Sequence, residues 1–193
     1  MLELVDPHLR FHRSFLAAAD EFLAAGEERH SGILSWPPDA TFEGRSYTRE
    51  SLESPEVFED FCTFVVRDRL PGSPRPASFV PATTLWMVDG EEYVGRISVR
   101  HRLTDLLFTW GGHIGYAVRP SARRRGHASR ALAQMLPVCA ELGIDPVLVT
   151  CDVDNVGSRR AIEKNGGVYE DTREGKLRFW VPVSGRQAGP GAA

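Results

Sequence analysis

The stretch Gly115-Tyr-Ala-Val-Arg-Pro-Ser-Ala-Arg-Arg-Arg-Gly-His-Ala-Ser-Arg-Ala-Leu132 decides how this chain is read. An apolar, β-prone segment from His113 to Val118 runs into a Pro-Ser turn, then three arginines, Gly126 and a long helical pattern. No Asp or Glu occurs between Asp105 and Glu141, although the whole chain carries a formal net charge of −3. Positive charge is therefore concentrated where a helix begins. Backbone N–H groups at a helix N-terminus lack intrahelical partners, and with the helix dipole they attract anions; a glycine there lets a phosphate approach the main chain. Strand, turn, arginines and helix in that order read as a pyrophosphate cradle. The segment is neither a Walker loop nor a Gly-x-Gly-x-x-Gly fingerprint. Taken alone it also fits a solvated basic helix start or a basic patch for nucleic acid. The acidic balance elsewhere, and the lack of aromatics among the arginines, argue against the patch.

The rest of the chain sets bounds. Its 193 residues, 42% hydrophobic and 25% charged, suit one soluble domain able to bury a core without cross-links. No apolar run approaches the ~18–20 residues that span a bilayer. The start, Met1-Leu-Glu-Leu-Val-Asp6, lacks the pattern of a signal peptide. Three widely spaced cysteines, Cys62, Cys139 and Cys151, with no Cys-x-x-Cys, suit a reducing compartment rather than a disulfide framework or zinc site. The expectation is a cytoplasmic protein without a metal.

Phe11, Phe15, Leu16, Ala19, Phe22 and Leu23 recur at helical spacing and predict a helix over about 7–25, after a short strand at 2–5. Residues 26–54 show little period and read as a loop with at most a helical turn. Connections that long are uncommon in compact domains unless they serve a site. A second helix is expected from Pro55 to roughly Leu70, and Pro71, Pro74, Pro76 and Pro81 mark an extended connector. Thr83–Val88 and Tyr93–His101 flank Asp89-Gly90-Glu91, a hairpin signal. A helical or irregular excursion at 102–110 precedes the strand His113–Arg119 and a helix from about Ala122 that ends at Gly143. An apolar strand follows at Pro146–Cys151, then a helix opened by Asn155 and Ser158 and ended by Asn165-Gly166-Gly167. Two β segments, near Val168–Asp171 and Lys176–Val183, close the fold, and residues 184–193 read as a flexible tail. The order β-α-α-β-β-β-α-β-α-β-β is an α/β layer architecture.

A second motif is Thr150-Cys-Asp-Val-Asp-Asn155-Val-Gly-Ser158-Arg-Arg-Ala-Ile-Glu-Lys-Asn-Gly166-Gly167. It has an Asn at a helix start, a Ser three residues on, and Gly-Gly after the helix. Preceded by Arg123-x-x-Gly126-x-Ala128, it resembles the GNAT superfamily of acetyl-CoA-dependent N-acetyltransferases, whose first motif reads Gln/Arg-x-x-Gly-x-Gly/Ala. The resemblance covers Thr83 to Val183. From Gly95-Arg96 through Gly111-Gly-His-Ile-Gly-Tyr116 to Gly167 the chain also looks like a subgroup of bacterial predicted acetyltransferases of unknown substrate. It implies a single domain over 1–183 with a mixed, mainly antiparallel sheet of six to seven strands flanked by helices. Residues 83–183 would be the acetyl-CoA-binding core, and 1–82 the N-terminal strand, helices and acceptor-side loop.

The resemblance also gives residues roles. The main chain of Tyr116, Ala117 and Val118 would lie at a bulge where two strands splay, pairing with pantetheine amides. Arg123, Arg124, Arg125, Gly126, His127, Ala128 and Ser129 would wrap the pyrophosphate, with Arg130 adding charge. Asn155 would bond the pantetheine arm with Ser158 close by, although Asn155 is equally a helix cap. The reaction implied is direct attack of a primary amine on the thioester, with the Val118 N–H as oxyanion donor. Tyr116, His113 and His101 are the catalytic side-chain candidates. His113 also fits a hydrogen-bonded core histidine, and Asp105, Glu43 and Glu50 are further titratable groups. The sequence departs from the family twice. The position of the tyrosine that protonates the leaving sulfur in many members is Ile162, and the positions of frequent family bases are Trp110, Gly112 and Ile114.

Glu43, Glu50, Glu53, Glu56, Glu59 and Asp60 make the early segment acidic, which suits either a cationic amine acceptor or an ordinary solvated surface. The expected partners are acetyl-CoA and an amine of a small molecule or peptide, bound by a monomer or homodimer. Two competing functions remain: a catalytically degenerate acyl-CoA sensor or scaffold, and a basic nucleic-acid-binding module.

Overall fold

Seven strands form one sheet in the order β1-β4-β5-β6-β7-β9-β8. They are β1 (Leu2–Val5), β4 (Ala82–Asp89), β5 (Glu92–Arg100), β6 (Ile114–Val118), β7 (Val147–Asp152), β8 (Val168–Arg173) and β9 (Lys176–Val181). Every neighbouring pair is antiparallel except β6 and β7. The computed structural model describes residues 1–183, so the tail expected at 184–193 lies outside the described residues. Two two-residue strands, β2 (Ser35–Trp36) and β3 (Arg45–Ser46), pair within the loop that sequence periodicity left unstructured.

Helices cover both faces of the sheet. On one lie α1 (His12–Ala24) and α2 (Pro55–Arg67); on the other lie α3 (His127–Glu141) and α4 (Val156–Lys164). The start of α2 is fixed locally: the Ser54 hydroxyl accepts from the Val57 N–H at 3.4 Å and Pro55 occupies the first turn. The α1/α2 layer is aromatic, with Phe15 stacked on Trp86 at 5.0 Å and edge-on to Phe58 at 5.3 Å. The α3/α4 layer is aliphatic, built from Ile97, Val99, Leu132, Met135, Val149 and Ile162. Fully burying each such side chain stabilises by about 1.5–3 kcal/mol. Among the described residues no helix is long and apolar enough to cross a membrane.

Two expectations are corrected. The helix expected from about Ala122 begins at His127; before it stand a single 3-10 turn, Pro120–Ala122, and an irregular turn that carries the three arginines. The bulge expected in the strand of Tyr116 lies one strand over. β5 and β6 pair in unbroken register from Gly95↔Val118 to Val99↔Ile114, whereas the β4–β5 ladder skips a residue, with Val88 opposite Tyr93 and Met87 opposite Gly95. Val94 is the extra residue, and it reverses the alternation of β5. Tyr93 therefore joins the aromatic layer, while Ile97 and Val99 join the aliphatic one. Arg96, Ser98 and Arg100 consequently face α2.

Candidate active site

The site begins where β6 and β7 part. Their ladder consists of Ile114↔Val149, reinforced by the His113 N–H on the Leu148 carbonyl at 2.7 Å. Past that point the strands splay and a cleft of about 1000 Å³ opens, walled by β6, the arginine turn, the first turn of α3 and the start of α4. The Arg119 N–H donates to the Val94 carbonyl at 2.8 Å, toward β5. Backbone groups alternate sides along a strand, so those of Val118 and Tyr116 point the other way, into the splay.

The turn is shaped to present amides. Arg124 has φ +62° and Gly126, which caps α3, has φ +77°. A non-glycine residue in the left-handed region costs about 1–2 kcal/mol, so Arg124 is strained where the cleft is built. Alternating backbone of this kind turns successive N–H groups to one side, forming an anion-binding concavity. The first turn of α3 has no side-chain cap.

Tyr116, Ala117, Val118, Arg123, Arg124, Gly126, His127, Ala128, Ser129, Asn155 and Ser158 all line this cleft, whereas Arg125 does not. The Arg123 side chain is committed elsewhere: its Nε donates to the Val118 carbonyl at 3.1 Å, and its terminal nitrogens grip Glu27 in a bidentate pair. Glu21 performs the same service for the turn's other end, accepting from Arg119 Nε at 2.8 Å and from the Ser121 N–H and hydroxyl at 3.0 Å each. Desolvation works to raise the Glu21 carboxyl pKa, but the bonds from Arg119 and Ser121 outweigh it and the net shift is downward. These acids were missed because they lie about a hundred residues before the turn they fasten. Arg160 and Lys164 were missed as well; four apart on α4, they share one helix face and line the cleft.

On the far wall the Asn155 side-chain carbonyl accepts the Ser158 N–H at 3.0 Å, so Asn155 is a helix cap that also lines the cleft. The Ser158 hydroxyl lies 2.7 Å from the Tyr116 hydroxyl, a bond that crosses between β6 and α4. Burial pushes the Tyr116 pKa up to about 12, so the phenol keeps its proton. Ile162 is fully buried in the aliphatic layer and presents nothing to the cleft.

Neither histidine candidate lines the cleft. His113 is 8% exposed, and its Nδ1 accepts the Leu148 N–H at 2.9 Å, which leaves the ring proton on Nε2. Burial, followed by the charge of Arg100, lowers its pKa to about 4. It fastens β7 to the end of β6 and has no lone pair free to take a proton from substrate. His101 Nε2 sits 2.9 Å from the Thr83 hydroxyl, its pKa lowered by burial and then by Arg75 and Arg69. The six carboxylates expected at an acceptor rim are all exposed and line neither this cleft nor the smaller pocket on the α2 face; Asp60 is bound to Arg45 and Tyr47, and Glu53 to Arg49.

Residues 75–168 match the family model described as the acetyltransferase (GNAT) domain. No curated protein matches the chain. Among solved structures, RimJ of Mycobacterium smegmatis in complex with CoA-disulfide is similar at 16% identity, covering 94% of this chain and 81% of that one, with a TM-score of 0.61. MccE, a microcin self-immunity acetyltransferase solved with acetyl-CoA and AMP, is similar at 13% identity over 94% and 92%, with a TM-score of 0.58. The PaiA N-acetyltransferase of Thermoplasma acidophilum, solved with coenzyme A, is similar at 14% identity over 94% and 99%, with a TM-score of 0.54. Such identities speak for the fold, and the domain match speaks for the family. The splayed strands, the arginine turn and the Asn155 helix start all fall in residues 75–168, which match the GNAT acetyltransferase domain, and the chain as a whole has the fold of the acetyltransferases above.

Proposed function

We propose that this protein transfers the acetyl group of acetyl-CoA to a primary amine of a small molecule or peptide by direct attack on the thioester. The observation that carries the reading is the opening of the β6–β7 splay directly into the uncapped amides ahead of α3. Diphosphate would sit against the N–H groups of residues 124–129, with Arg160 and Lys164 adding charge from α4. The pantetheine arm would pair with the main-chain groups of Tyr116 that point into the splay, while the Val118 carbonyl stays with Arg123 and the Val118 N–H is left for the thioester. Attack forms the nitrogen–carbon bond and leaves an oxyanion, for which the Val118 N–H is the donor. Collapse breaks the carbon–sulfur bond, and the proton lost by the amine balances the thiolate.

A lysine-like amine is neutral in about one part in a few thousand at pH 7, a cost of roughly 4–5 kcal/mol. Neither His113 nor His101 lines the cleft, and on this reading the amine loses its proton to solvent. Tyr116, with its pKa near 12, is too weak an acid to protonate a thiolate outright. It serves as a hydrogen-bond donor to the sulfur, with Ser158 as its partner. The test is acetyl-CoA calorimetry alongside a thiol-release assay over an amine panel. Binding with release supports the proposal; binding without release across the panel leaves an acyl-CoA-binding domain; and no binding removes it.

A further inference from the structure

On the α2 face of the same sheet lies a second, smaller pocket of about 190 Å³. Its floor is β4 and β5, and its walls include Leu34 and Trp36 from the first loop, Phe61 and Val65 from α2, and Phe79 from the proline connector. The lining is mainly apolar, but its cations lack a counter-charge. Arg96 and Arg100, four residues apart on one face of β5, both reach it. Arg100 donates to the Gly111 and Gly112 carbonyls at 3.1 Å each. Arg96 has no hydrogen-bond or ion-pair partner among the described residues, and its Nε is buried. The carboxylate that lines the pocket, Asp68, is already held by Arg75 at 3.1 Å. Burial, and then repulsion from Arg96, lowers the Arg100 pKa.

Leaving guanidinium N–H groups buried and unpaired is costly, and their planar fork matches a carboxylate or phosphate. The pocket also adjoins the reaction centre from behind. Gly115 of β6 pairs with Ser98, and a side-chain carbon at Gly115 would stand 3.7 Å from both terminal nitrogens of Arg100. The Arg100 guanidinium therefore stands against β6, the strand that borders the splay.

We infer that this pocket receives the acceptor, and that the acceptor is a small amine bearing a carboxylate or phosphate beside an apolar group. The inference rests on the acetyl-transfer reading for its chemistry. Of the two readings of the acidic early segment, it leaves the ordinary solvated surface.

Phenylacetate, phenyl phosphate and phenethylamine are the probes, and quenching of Trp36 and Trp86, which line the pocket, is the readout. Both anions should quench saturably, with phenethylamine at least tenfold weaker, and the ratio of the two anions separates carboxylate from phosphate preference. Arg96→Gln should weaken the anions at least tenfold with no loss of melting temperature, while Arg96→Lys keeps part of the affinity. Tighter phenethylamine, no saturable anion binding, or anion quenching indifferent to Arg96→Gln would overturn the inference. Acetyl-CoA calorimetry on the same samples reads the other face of the sheet, so failure of the acetyl-transfer reading is seen separately.

Discussion

The two faces of this sheet carry sites built in opposite ways. The cofactor face is made largely of main chain from one continuous segment, β6 through the first turn of α3, fastened from outside by Glu21 and Glu27. The α2 face is made of side chains brought from four separated segments: the first loop, α2, the proline connector and the β4–β5 hairpin. On the proposed reading the first takes a group common to every acyl-CoA, for which fixed backbone donors suffice. The second, if it receives the acceptor as inferred, would discriminate among amines through side chains that can change without disturbing the fold.

That contrast is broken most severely by Gly126→Glu. The substitution puts bulk and negative charge in a left-handed position at the diphosphate site, and acetyl-CoA affinity should fall more than a hundredfold by calorimetry, with probe binding on the α2 face intact. Parallel loss on both faces would show that the sites are not separate. Next comes Gly95→Ala. A side-chain carbon there would stand 2.3 Å from the Ala117 carbonyl oxygen, so β5 and β6 must part, costing about 2 kcal/mol or more in denaturant unfolding. Because Gly95 pairs with Val118, this one change should damage acetyl-CoA binding as well as stability. Tyr116→Phe should be narrower, with kcat about tenfold lower, equivalent to ~1.4 kcal/mol, and acetyl-CoA affinity within about twofold. Unchanged kcat would return Tyr116 to a purely structural bond between β6 and α4.

The smallest effects are in pH dependence. His113 is held neutral, with a folded pKa of about 4 against 6.5 ordinarily. Between those values the unfolded chain binds more protons, so stability rises with pH across that window. His113→Asn should flatten the rise seen in melting temperature without adding or removing an inflection in the kcat/KM profile. Glu21 titrates the other way around, its folded pKa lying below the ordinary value of 4.5. Its contribution is present above about pH 4.5 and is lost as pH falls through the lowered value. The gap between the native protein and Glu21→Gln should therefore close in acid, and it should not exceed roughly 1–2 kcal/mol at neutral pH.

How much was legible follows the same division. The strand, arginine turn and helix of residues 113–141 could be read directly because each step is local: β-prone residues, a Pro-Ser turn, a glycine and a helical period. The Asn155 cap was legible for the same reason, its acceptor and donor being three residues apart. The start of α3 was placed too early because alanine and arginine favour helix. Nothing local announces that Arg124 is turned left-handed by the site it serves. The bulge was assigned to β6 by resemblance, whereas it sits at Val94, a fact that depends on the register of β4 against β5. Composition left the acidic segment open between an acceptor rim and a solvated surface; its carboxylates face solvent, and Arg96 and Arg100, given no role at the site from sequence, line the pocket.

By itself the sequence determined the architecture and the strand, arginine turn and helix proposed as the anion cradle, since periodicity, turn chemistry and helix ends act over a few residues. Tertiary structure alone decided which charges are neutralised and which are left facing a pocket. Glu21 and Glu27 reach their arginines across roughly a hundred residues, while among the described residues Arg96 has no acid to pair with. Whether a charge is paired depends on the few ångströms around its tip, and those are set by packing between segments whose separation along the chain carries no record of their contact.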